Sequence, residues 1–564
     1  MKKAIFVLFV SLVLAGCGDA RLKCWRVDPL TKVFPDDARD TSQSGDVIPL
    51  LARNGHTSIQ IAIHSEAGIA ALNATVEMQS PVTAQVRHVG YVPVASDPPK
   101  TPEDELVRPA PGLYPDPLYE DFPFTLKAKR TEAIWVTLSA PAGAQPGEYS
   151  GKVTLSSGAD TITSQSFKVK VTNATVPAVQ ALQVTNWFTL EPAELGRHFK
   201  IGQDPEAYWR VLGNIGKVMA DHRQNVLLTP VLTFAGPKIE GGQIRYDFAK
   251  LDRWVETFQK AGVIGTIEGA HLLGRKSGYD TSMIVPGYAI EGGKVVDKQF
   301  STDDPHAEQF LNTFLSALYA HLKEKGWTEH YIQHIHDEPH GQETAIYNRY
   351  AKIIRKNLPG IPTIDAVGLD QDLGFFEDVS DIWVPVLGSF DGQLDKIQAH
   401  VAKGGHAWFY TCIAPQGRHL NRFIDLPLLK TQLLHWFNFR HNFTGFLLGR
   451  QLLGTRAVPR RATGDQRQRN AAAGGRQCDR VSESLERVGS EFDPPGSHAR
   501  RDRGLRTPHS PREARSGEGE TAGGHRHPAH HRLYSQRSEV PRAATRTDGR
   551  VIRLALIGCI RRIV

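Results

Sequence analysis

The sequence predicts a two-part fold: an all-β sandwich, then a (β/α)8 barrel truncated at its eighth strand. Three observations carry this. Short period-two strands without an amphipathic helix occupy the stretch up to about residue 178. Eight apolar strand-like runs separated by six amphipathic helical patterns follow. The alternation stops near Leu447, and the text beyond it has no apolar period.

At the N-terminus, Lys2 and Lys3 precede an apolar run, Ala4 to Leu14, that is too short to cross a bilayer. It ends in Leu14-Ala15-Gly16-Cys17, which is similar to the lipobox of bacterial lipoproteins. Small side chains fit a signal peptidase there, and the Cys17 thiol takes the lipid. Residues 1–17 are therefore expected to direct export, with a membrane as partner through a lipid anchor at Cys17. The expected location is the bacterial cell envelope, at the periplasmic face or the outer membrane. The five cysteines (Cys17, Cys24, Cys412, Cys478 and Cys559) have neither metal-ligand spacing nor a readable disulfide framework.

Residues 18–178 read as the sandwich. Ser58 to Ile63, Ala133 to Leu138, Gly151 to Leu155 and Ser166 to Val171 alternate apolar and polar side chains, as half-buried strands must. Turn formers such as Gln145-Pro146-Gly147-Glu148 separate them, and Asn173 to Val179 reads as a linker.

Residues 179–450 change texture. Candidate strands are 182–188, 225–231, 265–272, 331–336, 363–367, 382–386, 407–412 and 444–447. Helical periodicity covers 206–222, 248–261, 307–325, 343–357, 394–403 and 428–438. A doubly wound open sheet is the alternative arrangement. No glycine-rich phosphate loop follows any strand, so no nucleotide cofactor is expected.

The formal charge of +7 invites a nucleic-acid reading, but its distribution argues against one. Residues 451–564 hold 23 Arg, no Lys and 12 acidic residues, leaving 44 basic against 48 acidic elsewhere. That stretch has one Phe, one Tyr and no Trp, which cannot build a core. Either it is a disordered basic arm or it is translated in the wrong frame. Codons favour the second. Leu448 to Gly454 admits codons that give Trp-Gly-Gly-Asn-Tyr-Trp-Gly when read one nucleotide later. In the same shifted frame, Phe492 to Pro508 yields Ser-Ile-Arg-Leu-Glu-Ala-Met-Arg-Glu-Gly-Ile-Glu-Asp-Tyr-Glu-Leu-Leu, an amphipathic helix. Gly475 to Ser484 yields Gly-Asn-Ala-Ile-Val-Tyr-Pro-Asn. A frame change near Leu447 is expected, with the barrel cut there and the 564-residue chain inactive.

The strongest chemical signal is His334-Ile335-His336-Asp337-Glu338-Pro339, at the C-terminal end of the fourth barrel strand, where such barrels carry their active sites. Ionisable groups at the mouth of a buried strand are costly unless solvated or paired. Pro339 stops the strand and lets Glu338 turn towards the cleft. The other reading of these residues is a solvated strand end with a helix cap. His222 and Asn225 stand at the opening of the second strand, where Asn225 has either a sugar hydroxyl or the strand itself as partner. Glu268 and His271 lie towards the end of the third strand, positioned to line the cleft. Trp187, Trp383 and Tyr410 are candidate stacking platforms, with core packing as the competing reading for the two tryptophans. Asn421 and Asp425 sit in the loop after the seventh strand. The segment 273–300, with Tyr279 and Tyr288, reads as a long insertion and a subsite wall. No His/Cys/Asp cluster has metal spacing, so neither a metal nor a cofactor is expected.

These features resemble glycoside hydrolase family 123. The residues that carry the likeness are Gln145 to Gly151, His336-Asp337-Glu338-Pro339, Trp408 to Cys412 and Asn421 to Pro427, together with the shifted-frame Trp-Gly-Gly-Asn-Tyr-Trp-Gly. The resemblance covers roughly residues 50–447. It implies a glycan substrate and removal of terminal β-linked N-acetylgalactosamine by substrate assistance. The 2-acetamido oxygen attacks the anomeric carbon, Asp337 steadies the oxazolinium ion, and Glu338, with its pKa raised beside ionised Asp337, acts as acid and then base.

Overall fold

The computed structural model describes residues 22–451 apart from 38–46, 189–194, 197, 198, 200, 202, 203, 264, 278–281 and 370. The expected export signal with Cys17, the residue Tyr279 and the Arg-rich text from 452 onward lie outside the described residues.

The N-terminal part is two five-stranded sheets facing each other. One runs Lys23–Val27, Gly55–Ser65, Arg130–Ala140, Thr83–Val94, Gly112–Tyr119; the other runs Leu50–Arg53, Asp160–Thr175, Gly147–Ser157, Ile69–Met78, Phe124–Leu126. The period-two pattern explains the packing. Ile59, Ile61, Ile63, Ile134, Val136 and Leu138 point inward from the first sheet and meet Leu72, Val153, Leu155, Val169 and Val171 from the second in one core. The strand from Asp160 runs on to Thr175, through the first residues of the expected linker.

Beyond it, eight parallel strands form a nearly closed, barrel-like sheet. They are β1 (Gln183–Phe188), β2 (Val226–Thr229), β3 (Thr266–Gly269), β4 (Tyr331–His334), β5 (Thr363–Val367), β6 (Ile382–Pro385), β7 (His406–Thr411) and β8 (Gly445–Gln451). The paired order is β1-β8-β7-β6-β5-β4-β3-β2. Between β1 and β2 the ladder is replaced by Asn225, whose backbone N–H donates to the Val184 carbonyl (3.3 Å) and whose Oδ1 accepts from the Val184 N–H (2.8 Å). Val226, Ile332, Ile364, Val384, Trp408 and Leu447 fill the interior.

The crossovers carry α1 (Pro205–Asp221), α2 (Ala249–Ala261), α3 (Pro305–Glu324), α4 (Glu343–Asn357), α5 (Phe390–Ala402) and α6 (Leu428–His441), matching the six periodic segments of the sequence. Between β5 and β6 only a 3-10 turn, Leu373–Phe376, intervenes. In α3, Asp304 caps the first turn by accepting from the His306 N–H (2.9 Å) and Pro305 opens the helix. Phe310, Leu311, Phe314, Leu315, Leu318 and Leu322 recur at helical spacing and are buried against the strands. Truncating Leu318 to Ala would cost about 2–5 kcal/mol.

The eighth strand corrects one part of the expected truncation, the cut at Leu447 itself. β8 continues past Leu447 to Gln451 and pairs with β7 (Phe409↔Phe446) and with β1 (Val184↔Phe446, Phe188↔Gln451). Backbone pairing needs only extended residues, and Leu448-Gly449-Arg450-Gln451 supplies them whatever its side chains. The open edge is absent, although α6 displays Leu429 (47% exposed), Trp436 (68%) and Phe439 (91%) on its outer side. Within the 273–300 insertion, Gly274–Arg275, Met283–Glu291 and Lys294–Ser301 form an antiparallel sheet.

Sandwich and barrel meet where the Val107 N–H donates to the Asp425 carbonyl (2.9 Å) and Lys430 pairs with Glu105 (2.6 Å). Among the described residues no helix is long and apolar enough to cross a membrane.

Candidate active site

The site grows from the way β4 ends. Its ladder with β5 stops at His334↔Ile364. Beyond that point the Asp365 carboxylate replaces the missing ladder acceptors, taking the N–H groups of Ile335 (3.0 Å) and His336 (3.3 Å). The chain then turns sharply. Glu338 adopts φ +45°, a conformation that L residues rarely take, directly before a proline. Arg275, from the inserted sheet, fixes the turn by donating to the Glu338 carbonyl (3.0 Å) while its guanidinium forks onto Glu343 (2.8 and 2.7 Å). The phenol of Tyr410, at the end of β7, donates to the Glu338 carboxylate.

Asp337 and Glu338 thus stand together at the C-terminal rim, half-buried. Burial, and then the Glu338 charge, push the Asp337 carboxyl up to about 7, with Arg275 opposing. The two carboxyls act as one coupled pair, held up by burial and by their closeness to each other. Burial, followed by the same two carboxylates, pushes the nearby Cys412 thiol up to about 12.

One layer deeper, His334 lies between two carboxylates. Its Nε2 is 2.7 Å from Glu268 Oε1 and its Nδ1 is 2.9 Å from Asp365 Oδ1, all three residues being fully buried. Burial lowers the His334 pKa, but the bonds to Asp365 and Glu268 win and hold it up at about 10. The neighbouring His271 is the reverse case: burial, then the His334 and His336 imidazoles, hold it well below its ordinary value, so it stays neutral. His271, His334 and Asp365 offer three ligand atoms within 4.8 Å of one another, the donor set of a metal site. Both His334 nitrogens are already engaged by carboxylates, so an ion there would have to break those bonds.

Of the residues singled out in the sequence, the structure gathers Asp337, Glu338, Glu268, His271, Tyr410 and Trp187 at this end. Trp187 is partly exposed and donates its indole N–H to Glu268 (2.9 Å). Others are elsewhere. His222 follows α1 on the opposite side of the barrel, with its ring on the Val218 carbonyl (2.7 Å). Asn225 is a stitch at the N-terminal ends of β1 and β2, its amide donating to the Leu182 carbonyl (3.1 Å), so its polar atoms are spent on backbone. Asn421 is buried and donates to the carbonyls of Pro415 (2.9 Å) and Cys412 (3.2 Å), which pins the loop rather than reaching a ligand. Asp425 faces the sandwich. Trp383 is core, stacked on His400 at 4.0 Å. Tyr288, in the insertion, donates to the Leu232 carbonyl (2.6 Å) of the segment after β2.

Two residues escaped sequence reasoning. Asp365 left a signal, since a carboxylate inside Thr363-Ile364-Asp365-Ala366-Val367 interrupts a buried strand. Arg275 left none, because its role depends on the insertion folding back.

A nearly closed parallel barrel with paired carboxylates on the rim of its fourth strand defines the class of the glycoside hydrolases. Residues 190–448 match the profile described as Glycoside hydrolase 123, catalytic domain, and residues 58–157 match Glycoside hydrolase 123 N-terminal domain. The chain belongs to glycoside hydrolase family 123. Among solved structures it is similar to a family 123 glycoside hydrolase from Clostridium perfringens, described for glycolipid glycan hydrolysis. That match has 13% identity over 76% of this chain and 78% of the other, with a TM-score of 0.58, so the likeness is one of fold. A GH5 xyloglucanase from Bacteroides ovatus (9% identity, 71% and 91% coverage, TM-score 0.27) and a family 39 glycoside hydrolase from Bacteroides cellulosilyticus (10%, 71% and 74%, 0.30) are more remote. No curated protein matches the chain.

Proposed function

We propose that this glycoside hydrolase removes a terminal β-linked 2-acetamido sugar, N-acetylgalactosamine foremost, by a substrate-assisted retaining mechanism on a (β/α)8 scaffold. The observation that carries this is the placement of Asp337 and Glu338 as consecutive residues on one rim. Ordinary retaining and inverting pairs face each other across the sugar, about 5–9.5 Å apart. Glu268 and Asp365, the carboxylates flanking His334, are fully buried and saturated, so neither is free to attack from the far side. A substrate that brings its own nucleophile suits an adjacent pair.

In this reading the acetamido oxygen bonds to the anomeric carbon while the glycosidic C–O bond breaks. Glu338, oriented by Tyr410, gives its proton to the leaving oxygen. Asp337 accepts the acetamido N–H and opposes the positive charge growing on the oxazolinium. Water then adds to the anomeric carbon, its proton passes to Glu338, and the acetamide is restored. Trp187 offers its ring to the sugar face.

Hydrolysis of aryl β-N-acetylgalactosaminides and glucosaminides, with Glu338→Gln as control, tests the reading. Cleavage only of sugars without the acetamido group would replace the specificity. Glycan binding with no cleavage across a broad panel would replace catalysis with recognition.

Export, anchorage through Cys17 at the cell envelope and a frame change near Leu447 complete the proposal. The catalytic-domain match ends at residue 448, and α6 leaves Leu429, Trp436 and Phe439 exposed, which supports the frame change. With β8 paired on both sides, the argument that the chain is inactive through an open barrel edge falls. Restoring the shifted frame should raise the melting temperature and keep activity. An unchanged melting temperature would count against the frame change.

A further inference from the structure

We propose that the buried Glu268–His334–Asp365 bridge is a positioning device that locks the sugar-facing Trp187 to the backbone presenting Asp337 and Glu338. The inference rests on the glycosidase reading for what Trp187 and the pair act upon, but its geometry stands apart from that reading.

The bridge spans four strands. From β1, Thr185 Oγ1 (2.7 Å) and Trp187 Nε1 (2.9 Å) donate to Glu268 on β3. From β4, His334 donates one N–H to Glu268 (2.7 Å) and the other to Asp365 of β5 (2.9 Å). Asp365 in turn holds the backbone N–H groups of Ile335 and His336 and the Tyr347 hydroxyl (2.8 Å). An imidazole that donates from both nitrogens is a cation, so a positive charge sits sealed between two acids.

A bridge of this kind is not what a barrel interior needs for packing. The adjacent interior positions are Val226, Ile332, Ile364 and Val384, which fill the same space without charge. A buried ionic group is weak evidence for stability and better evidence for a requirement of geometry. Each end of this one touches a functional part. Glu268 fixes the indole of the only β1 side chain in the sequence reading of the site. Asp365 fixes the two peptide N–H groups immediately before Asp337. His334 also lies close enough for its charge to act on Asp337.

The two halves should separate kinetically. Glu268→Gln loosens Trp187 and is expected to raise KM about 10-fold with a smaller change in kcat. Asp365→Asn loosens the rim backbone and is expected to lower kcat about 100-fold with a smaller change in KM. His334→Gln should do both and move the alkaline limb of the pH–rate profile to higher pH, because a cation near Asp337 is gone. Thr185→Val, which removes one bond and keeps the shape, is the mild variant if the others fold poorly. The full chain is used, and a second readout needs no activity: the Trp187 indole N–H resonance, assigned with Trp187→Phe. In Asp365→Asn that resonance should shift although Asp365 does not touch Trp187. A shifted resonance with no cleavage by the parent chain would support the bridge and sink the glycosidase reading. Cleavage by the parent with an unshifted resonance and no KM–kcat split in folded variants would overturn the bridge alone.

Discussion

Tyr410 on β7 donates its phenolic hydrogen to Glu338, which follows β4 across the mouth of the barrel. The bond crosses three strand positions and links the rim carboxylate to a ring whose body packs in the interior with Trp408 and Leu447. Tyr410→Phe keeps that packing and deletes one donor. We expect kcat/KM to fall about 10–100-fold with KM nearly unchanged, and more steeply for poor leaving groups, which depend on proton delivery. A loss confined to KM would assign Tyr410 to substrate contact instead.

The Asp337 carboxyl, pushed up to about 7 by burial and then by Glu338, makes the pH profile informative. The pair works with one proton, carried by Glu338 in the reactive form, so kcat/KM should fall on the alkaline side of about pH 7 as that proton is lost. In Glu338→Gln, assayed with activated aryl glycosides that need no proton, that limb should vanish, because only ionised Asp337 is then required. A limb that stays in place would assign it to another group.

His334 supplies a stability test with a definite sign. Its folded pKa, about 10, lies above the ordinary 6.5. The contribution is therefore complete below pH 6.5 and lost as pH rises towards 10. One proton gives a slope of at most about 1.4 kcal/mol per pH unit. Urea unfolding followed from pH 6 to 10 should show declining stability in the parent chain and a flatter curve in His334→Gln. Parallel curves would mean that the imidazole is not the buried cation.

Asn225 should matter to folding and not to catalysis. Replacing it with Ala leaves the Val184 N–H without its partner and takes one of two donors from the Leu182 carbonyl, which Gln180 still bonds, at a cost of about 1–3 kcal/mol. KM for any substrate should stay unchanged, since the side chain lies at the N-terminal end of the strands. His222→Ala should change neither. A raised KM in either variant would return these residues to the site.

What the sequence made legible follows from the range of the interactions. β5 begins and ends where its apolar run does, and all six helices follow from period and caps such as Asp204 and Asp304. The place of Asp337 and Glu338 at the rim was readable because two carboxylates at a strand end advertise an unmet cost. Asn225 misled because a polar residue at a strand terminus looks alike at either end of a barrel, and only strand direction separates cleft from base. Arg275 was invisible because its partners, Glu338 and Glu343, are 63 and 68 residues away in sequence. The continuation of β8 was missed because side-chain pattern was taken as a requirement, where backbone pairing sufficed.

The left-handed turn at Glu338 has a consequence for anyone selecting variants of this chain. Glycine, and to a lesser degree asparagine, occupies that backbone conformation without the penalty of about 1–3 kcal/mol that a glutamate bears there. Selection for heat resistance alone would therefore favour Gly or Asn at 338, and each such survivor would be sturdier and chemically mute. A library sorted both by heat resistance and by turnover should therefore split at this one codon, with Gly or Asn on one side and the acid on the other.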